Sequence, residues 1–440
     1  MKNNSSKIIT RFAPSPTGLL HLGNYRTALF SYLFTKQNGG DFILRIEDTD
    51  RERSKPEFEA DIMNSLAWLN LKHDAFYRQS ENVNRHTECL QKLLDADKAY
   101  ISKEEIKKEG DRAEVIRFKN PNRKVTFNDL VRNEVTFDTT DLGDFVIAKS
   151  LTEPVFHLAV VVDDADEGIT HVIRGDDHLS NTPRQILIQE ALGFATPIYA
   201  HLPMILATDR TKLSKRNGAV SVGAYREEGY LPEAIINFLA LMGWNPGTDQ
   251  EIFSLAELVK AFDLSKVQKG GAVFNVEKLN WLNREYIKKL PSAEQLALVK
   301  KYLPSTITEA SGFGDDRLKR ALPAIIERID RFHDVATQAA FGEYDCFFNP
   351  PNYPKALLKN QDHFAEIIMR LEGLSADNFT AEKVKNAVWD YAVEKGKGEV
   401  LWPMRIALSG KEKSPDPFTI AEVIGKEESL TRLHHAAKLS

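Results

Sequence analysis

Residues 7–24 read Lys7-Ile-Ile-Thr-Arg11-Phe12-Ala13-Pro14-Ser15-Pro-Thr-Gly18-Leu-Leu-His21-Leu-Gly23-Asn24. An apolar, β-branched opening, a loop punctuated by proline and glycine, and an apolar-periodic run over about 22–37 predict strand, loop and helix in that order. A second strand follows in Asp41-Phe-Ile-Leu-Arg45-Ile-Glu47, after which Phe58, Ile62, Leu66 and Leu69 recur at helical spacing. Strands alternating with helices favour a parallel sheet, so the chain opens as a Rossmann-like α/β domain.

Working outward, the alternation breaks over 82–153 into a charged helix, a lysine-rich stretch at 103–108 and short β-like runs such as Val115-Ile-Arg-Phe118 and Phe145-Val-Ile147. This reads as an inserted α+β domain. The α/β pattern resumes through two apolar runs, 156–162 and 169–173. Thr182, with Gln185 three residues on and Pro183 between them, predicts a capping box at the start of a helix. Beyond a strand-like 198–206 and a basic polar loop around Lys212, helical periodicity takes over. Helices are predicted at 232–242, at 317–332, and from a Thr380 cap to Lys395, so the C-terminal half reads as all-α. The expected segments are 1–81 with 154–207 (catalytic), 82–153 (inserted), 208–315 (basic loop and connecting helices) and 316–440 (all-α).

The chain has 440 residues, too many for one small domain. Its 42% hydrophobic and 28% charged residues suit ordinary buried cores and exclude a disordered chain. With 58 Lys+Arg against 63 Asp+Glu the net charge is -5, so RNA binding requires local patches. One candidate is the basic run through Lys269, Lys278, Arg284, Lys288, Lys289, Lys300, Lys301, Arg317, Lys319, Arg320, Arg328 and Arg331; Trp389, Tyr391 and Trp402 are candidate stacking residues. Cys89 and Cys346 stand far apart, which excludes a disulfide scaffold or cysteine-rich zinc module and fits a reducing cytosol. The polar N-terminus and the lack of a long apolar window predict a cytoplasmic protein without a membrane span.

Two constellations carry chemistry. His21 and Gly23 sit where a first strand turns into its helix, and a helix N-terminus offers unpaired N–H groups to an anion. Lys212-Leu-Ser214-Lys215-Arg216 places two lysines on a late loop, suited to a triphosphate and departing pyrophosphate. Each alone also reads as a surface turn. Both at strand ends of one α/β domain point to a nucleotide.

These motifs resemble the two signatures of class I aminoacyl-tRNA synthetases. The flanking Arg11-Phe-Ala-Pro-Ser-Pro-Thr-Gly18, Arg45-Ile-Glu-Asp-Thr-Asp50, Val161-Val-Asp-Asp164, His171-Val-Ile-Arg-Gly175 and Asn181-Thr-Pro-Arg184 look like the bacterial glutamate–tRNA ligase family, from Lys7 to about Phe418. The resemblance implies condensation of ATP, with Mg²⁺, and L-glutamate into glutamyl-adenylate, then transfer to the 3′ end of tRNA-Glu, by a monomer. It leaves open whether tRNA-Gln is charged too. It implies His21, Lys212 and Lys215 as catalytic groups, and an ATP site of Pro14, His21, Gly23, Asn24, His178, Lys212, Ser214 and Lys215. For glutamate it implies Arg11 on the side-chain carboxylate, Arg174 on the α-carboxylate and Glu47 on the ammonium, with Ala13, Ser15 and Phe156 beside them. Arg45 with Glu47, and Arg174 with Asp176 or Asp177, also suit plain ion pairs.

The chain departs from that family at three places. Phe156 stands where many relatives have a tyrosine, 82–153 holds only Cys89 and no cysteine-rich zinc element, and Asp176-Asp177 contains a shorter acid where Glu is common. No structural zinc is therefore expected. Glutamyl transfer to a modified tRNA base, or nucleotidyl transfer to a small molecule by the same superfamily, are the alternatives; neither accounts for the long helical C-terminal half.

Overall fold

The computed structural model describes residues 7–106, 112–211, 213, 221–353, 357–358 and 361–439. Lys212, Ser214 and Lys215 lie outside the described residues, as does most of the basic loop. Two compact units emerge, Met1–Arg226 with Leu231–Leu282, and Glu227–Tyr230 with Asn283–Ser440. The sequence pattern places a break at 315–316; the contacts place it at 282–283.

The first unit is built on strands β1 (Ile9–Phe12), β2 (Asp41–Ile46) and β3 (Ala75–Arg78), linked by helices α1 (Leu22–Gln37) and α2 (Pro56–Trp68). Next come α3 (Val83–Asp95), β4 (Ala99–Lys103), β5 (Glu114–Phe118), β6 (Lys124–Asp129), β7 (Asn133–Asp138), β8 (Phe145–Ser150) and β9 (Glu153–Pro154). Then follow α4 (Phe156–Asp166), β10 (His171–Gly175), α5 (Thr182–Leu192) and β11 (Ile198–Leu202). The seven-stranded sheet runs β3-β2-β1-β10-β11-β6-β7, parallel except for the β6–β7 hairpin. The chain leaves β1 toward β2 and β3 on one side and continues from β10 to β11 on the other. The carboxyl ends of β1 and β10 thus form a topological switch point, where open α/β sheets bind ligands.

The insertion is less separate than its composition suggests. Strands β4, β5, β8 and β9 make their own antiparallel sheet, but β6 extends the main sheet beside β11. One apolar core joins both, with Leu90, Phe118 and Ile147 packed in the same cluster as Val161, Val172 and Ile188.

One apolar run is assigned and two local expectations are corrected. The 156–162 run is helical, as part of α4; its apolar residues are buried and it ends on the buried Asp163 and Asp164. Thr182 and Gln185 do not form a capping box, because both side chains accept hydrogen bonds from Arg174 instead. A buried guanidinium loses water and takes the nearest acceptors. The 317–332 helix ends at Ile326, and a second begins at His333.

The second unit holds helices and no strand among its described residues. Thr380 caps Ala381–Lys395 by accepting from Lys383 N, and Asp416 caps Pro417–Ile424. The buried Arg432 donates to the carbonyls of Cys346, Leu408 and Asn349. Much of the basic run is charge-compensated: Arg284 pairs with Asp330, Lys300 with Asp315 and Arg331 with Asp334. Solvent-accessible pairs of this kind, exposed for Lys300–Asp315 and half-buried for the other two, stabilise little, but they weaken a phosphate-binding field. Trp389 is half-buried with the ammonium groups of Lys385 and Lys397 4.7 and 4.5 Å from its ring, and Tyr391 hydrogen-bonds His363. No described helix is long and apolar enough to cross a membrane.

Candidate active site

A cavity of about 530 Å³ opens at the switch point. Arg11, Ala13, Pro14, Ser15, His21, Gly23, Asn24, Glu47, Phe156, Arg174 and His178 all line it, so the described residues expected from sequence converge on one place. Leu213, the one described residue of 212–216, lines it too, its N–H bonded to Ile205 O at 3.1 Å.

His21 is the N-cap of α1. Its Nδ1 accepts from Gly23 N at 3.1 Å, while its own N–H donates to Asn24 Oδ1 at 3.2 Å. The bond to Nδ1 sets the neutral tautomer with its proton on Nε2, a donor at a helix N-terminus. A Cβ at position 23 would lie 2.9 Å from the imidazole, so glycine there is what lets the ring cap the helix.

Arg11, at the third position of β1, is 5% exposed, and its Nε donates to Asp164 Oδ1 at 3.0 Å. Asp164 also meets Arg45 at 2.9 Å. Arg45 is fully buried and holds Glu167 at 2.8 Å, Glu47 at 3.2 Å and Asp163 at 3.9 Å. Asp163 in turn is met by Gln79, Asn82 and His86. Burial alone would raise the Asp164 carboxyl, but Arg11 and Arg45 outweigh it and hold it below the usual range. Burial raises Glu47 and pushes Glu167 up to about 7, against the pull of Arg45.

Arg174 is the contrasting case. Its guanidinium donates to His201 Nε2 at 3.0 Å, Gln185 Oε1 at 2.7 Å and Thr182 Oγ1 at 2.8 Å, all neutral acceptors. Asp176 pairs with Arg132 instead, at 2.7 Å. Burial lowers Arg174 to about 10, which leaves it charged at neutral pH. Burial, then Arg174, lowers His178 to about 4, and Phe156 packs 5.6 Å from its ring.

The site therefore offers two buried guanidinium groups, the buried carboxylate of Glu47 lining the same cavity, and a helix-capping histidine. That set fits a small zwitterion carrying two carboxylates, next to an anion-binding turn. Sequence reading missed His201 and Asp129, which stand behind Arg174, and the Asp164–Arg45 support of Arg11. The signal for the latter is an acidic doublet closing the apolar Val160-Val-Val162 run, since charges in an apolar helix are buried only when paired. Among the described residues no group of three or more His, Cys, Asp or Glu side chains is arranged to hold a metal.

A family model described as tRNA synthetases class I (E and Q), catalytic domain, matches residues 7–110 and 101–281, and one described as an anticodon binding domain matches 294–437. The chain is 42% identical over 469 residues to the glutamate–tRNA ligase of Aquifex aeolicus, spanning 97% of this chain and 98% of that one. Against the glutamate–tRNA ligase of Thermodesulfovibrio yellowstonii the identity is 40%, over 98% and 99% of the two chains. A crystal structure of a glutamate tRNA ligase from Elizabethkingia meningosepticum, in complex with its amino acid, superposes with a TM-score of 0.86 at 33% identity, covering 98% of this chain and 99% of that one. By sequence along nearly its whole length and by fold, the chain belongs to the glutamate–tRNA ligase family of class I aminoacyl-tRNA synthetases.

Proposed function

We propose that this protein joins L-glutamate to the 3′ end of tRNA-Glu, using ATP with Mg²⁺ and passing through glutamyl-adenylate, with release of pyrophosphate and then AMP. The observation that carries the reading is the pairing of Arg11 and Arg174 in one cavity with Glu47 and His21. Arg11, its Nε occupied by Asp164, turns its terminal nitrogens to the side-chain carboxylate of glutamate. Arg174, with no counter-charge among its partners, takes the α-carboxylate, and Glu47 takes the ammonium. These clamps hold the α-carboxylate oxygen toward the α-phosphate of ATP, near the capping turn of His21, Gly23 and Asn24. His21 Nε2–H donates to the α-phosphate oxygens as charge builds there, and Lys215 with Lys212 neutralises the leaving pyrophosphate. None of these groups is a nucleophile; positioning and charge stabilisation supply the rate.

We assign 1–81 with 154–207 to this chemistry, 82–153 to the acceptor end of tRNA, 208–315 to the basic loop that brings Lys212 and Lys215 to the chemistry and to helices that contact the tRNA stem, and 316–440 to the anticodon, in a monomeric cytoplasmic enzyme. The direct test is charging of purified tRNA-Glu, tRNA-Gln and tRNA-Asp with labelled glutamate, resolved on acid gels. Charging of tRNA-Glu alone marks a discriminating ligase, and charging of tRNA-Gln as well marks a broader one. Failure to charge any 3′ end removes the proposal.

Phe156 supplies a smaller prediction. A phenyl ring offers no hydrogen bond to the substrate side chain, so Phe156→Tyr is expected to lower the KM for glutamate by about two- to ten-fold, the value of one added hydrogen bond. Steady-state aminoacylation at varied glutamate measures it, and an unchanged or higher KM counts against the placement of Phe156 beside the side-chain carboxylate.

A further inference from the structure

Behind Arg174 stands a chain of contacts that ends in the inserted hairpin. His201 lies opposite Arg174 in the β10–β11 register, and Tyr199, two residues earlier in β11, pairs with Asp129 at the end of β6. Asp129 and His201 are both buried. Asp129 Oδ1 accepts from Val131 N at 2.9 Å and Arg132 N at 2.8 Å; Oδ2 accepts from His201 N at 3.0 Å and meets His201 Nδ1 at 2.6 Å.

An ionised carboxylate only accepts, so Nδ1 carries the imidazole proton. Nε2 then presents a lone pair, and Arg174 Nε donates to it at 3.0 Å. The opposite tautomer would set N–H against N–H. Burial lowers the His201 imidazole below its usual range, which keeps it neutral at pH 7. Burial works to raise Asp129, but its bonds to His201 and to backbone N–H groups outweigh this and keep it ionised.

We propose that Asp129 and His201 are positioning residues for Arg174, Asp129 fixing the imidazole tautomer so that a neutral acceptor orients the guanidinium while its charge stays available to a substrate carboxylate. This rests on the assignment of Arg174 to the α-carboxylate of glutamate. A carboxylate in place of His201 would hold Arg174 equally well but would neutralise it and compete with the ligand. The inserted segment thereby contributes a residue to the amino-acid site.

Two consequences separate this role from mere packing. In Asp129→Asn the amide oxygen can keep the backbone N–H groups of Val131 and Arg132, which turns the NH₂ toward Nδ1 and forces the proton to Nε2, against Arg174. Second, protonation of His201 removes its lone pair, so affinity for glutamate falls as pH drops through the folded-state pKa of His201. The charged or titratable groups facing His201 are Asp129, Arg174, Asp176, His178 and, stacked at 5.9 Å, Tyr199.

The experiment is ATP–pyrophosphate exchange with tRNA-Glu present, at varied glutamate and varied ATP, from pH 5.5 to 8. Asp129→Asn is expected to raise the KM for glutamate by about 10- to 100-fold, the loss of one hydrogen bond to a charged group. The KM for ATP should stay within about two-fold. Unmodified protein should lose glutamate affinity, and not ATP affinity, toward acid pH. His201→Gln, which supplies an acceptor that does not titrate, should lose less affinity than His201→Leu and show a weaker acid limb, the remainder belonging to Glu47, whose carboxyl burial raises. A glutamate KM in Asp129→Asn equal to that of the unmodified protein, or a loss of glutamate affinity in His201→Gln as large as in His201→Leu, overturns the inference. Absence of glutamate-dependent exchange in the unmodified protein is a different result: it overturns the functional reading, and this inference with it.

Discussion

Arg11→Gln is expected to raise the KM for glutamate about 100- to 1,000-fold, the equivalent of about 3–4 kcal/mol for removing one partner of a buried, hydrogen-bonded charge pair. Arg11 is almost fully buried at the carboxyl end of β1, and Asp164 fixes its orientation, so an incoming carboxylate meets a guanidinium that needs little further ordering. Glutamine at this position cannot supply the charge. It can hydrogen-bond a neutral amide, so discrimination between glutamate and glutamine should collapse along with affinity. The fold should survive, because Asp164 retains Arg45 at 2.9 Å. The checks are kcat/KM for each amino acid in aminoacylation, with a thermal melt as the folding control. Wild-type dependence on glutamate in the variant would move the side-chain carboxylate elsewhere in the cavity.

That prediction uses one residue the sequence exposes and one it conceals. Arg11 is legible because it stands between a clear strand and the Pro-Ser-Pro loop, in a motif whose order along the chain is local information. The frame of the site is legible for the same reason: β1, α1 and β2 each declare themselves by periodicity over a few residues. What the sequence conceals is set by distant partners. A continuous run such as Val160-Val-Val162 fits a buried strand or a buried helix equally, and only packing on α3 and α5 decides for α4. Thr182 and Gln185 carry a valid local capping pattern, overridden because Arg174 needs acceptors more than the helix end does. The β6 hairpin reads as part of an insertion, yet it pairs with β11 some 70 residues later and delivers Asp129 to His201. Arg45 has the composition of an ordinary surface charge on a strand; its burial follows from the acids of α4 and the turn after it, more than 100 residues away.

Arg45→Met is therefore expected to be the most destabilising single change around the site, by about 3–5 kcal/mol, because it strands charges rather than replacing a whole ionic cluster. Four carboxylates, Glu47, Asp163, Asp164 and Glu167, lie within reach of the one guanidinium, and all are buried or nearly so. Replacing every member with apolar groups could be neutral; removing the cation alone cannot. With two compact units in the chain, the loss should appear as a shift of the first unit's melting transition by about 10 °C, not as a change in a single global transition. The pH dependence has a definite sign. Burial raises the folded-state Glu167 from 4.5 to about 7, so folding takes up a proton between those values, and this group's contribution to stability falls as pH rises through that window. Without Arg45 the other carboxylates join Glu167 in being raised, and proton uptake on folding increases. The stability gap between the unmodified protein and Arg45→Met should thus narrow as pH falls from 8 to 5. Below the usual aspartate range it should narrow further, because the depressed Asp164 of the unmodified protein loses its ion-pair stabilisation as pH falls through its folded-state pKa. Differential scanning calorimetry across that range reads both effects, and a gap that stays constant with pH would mean that the carboxylates find other partners once Arg45 is gone.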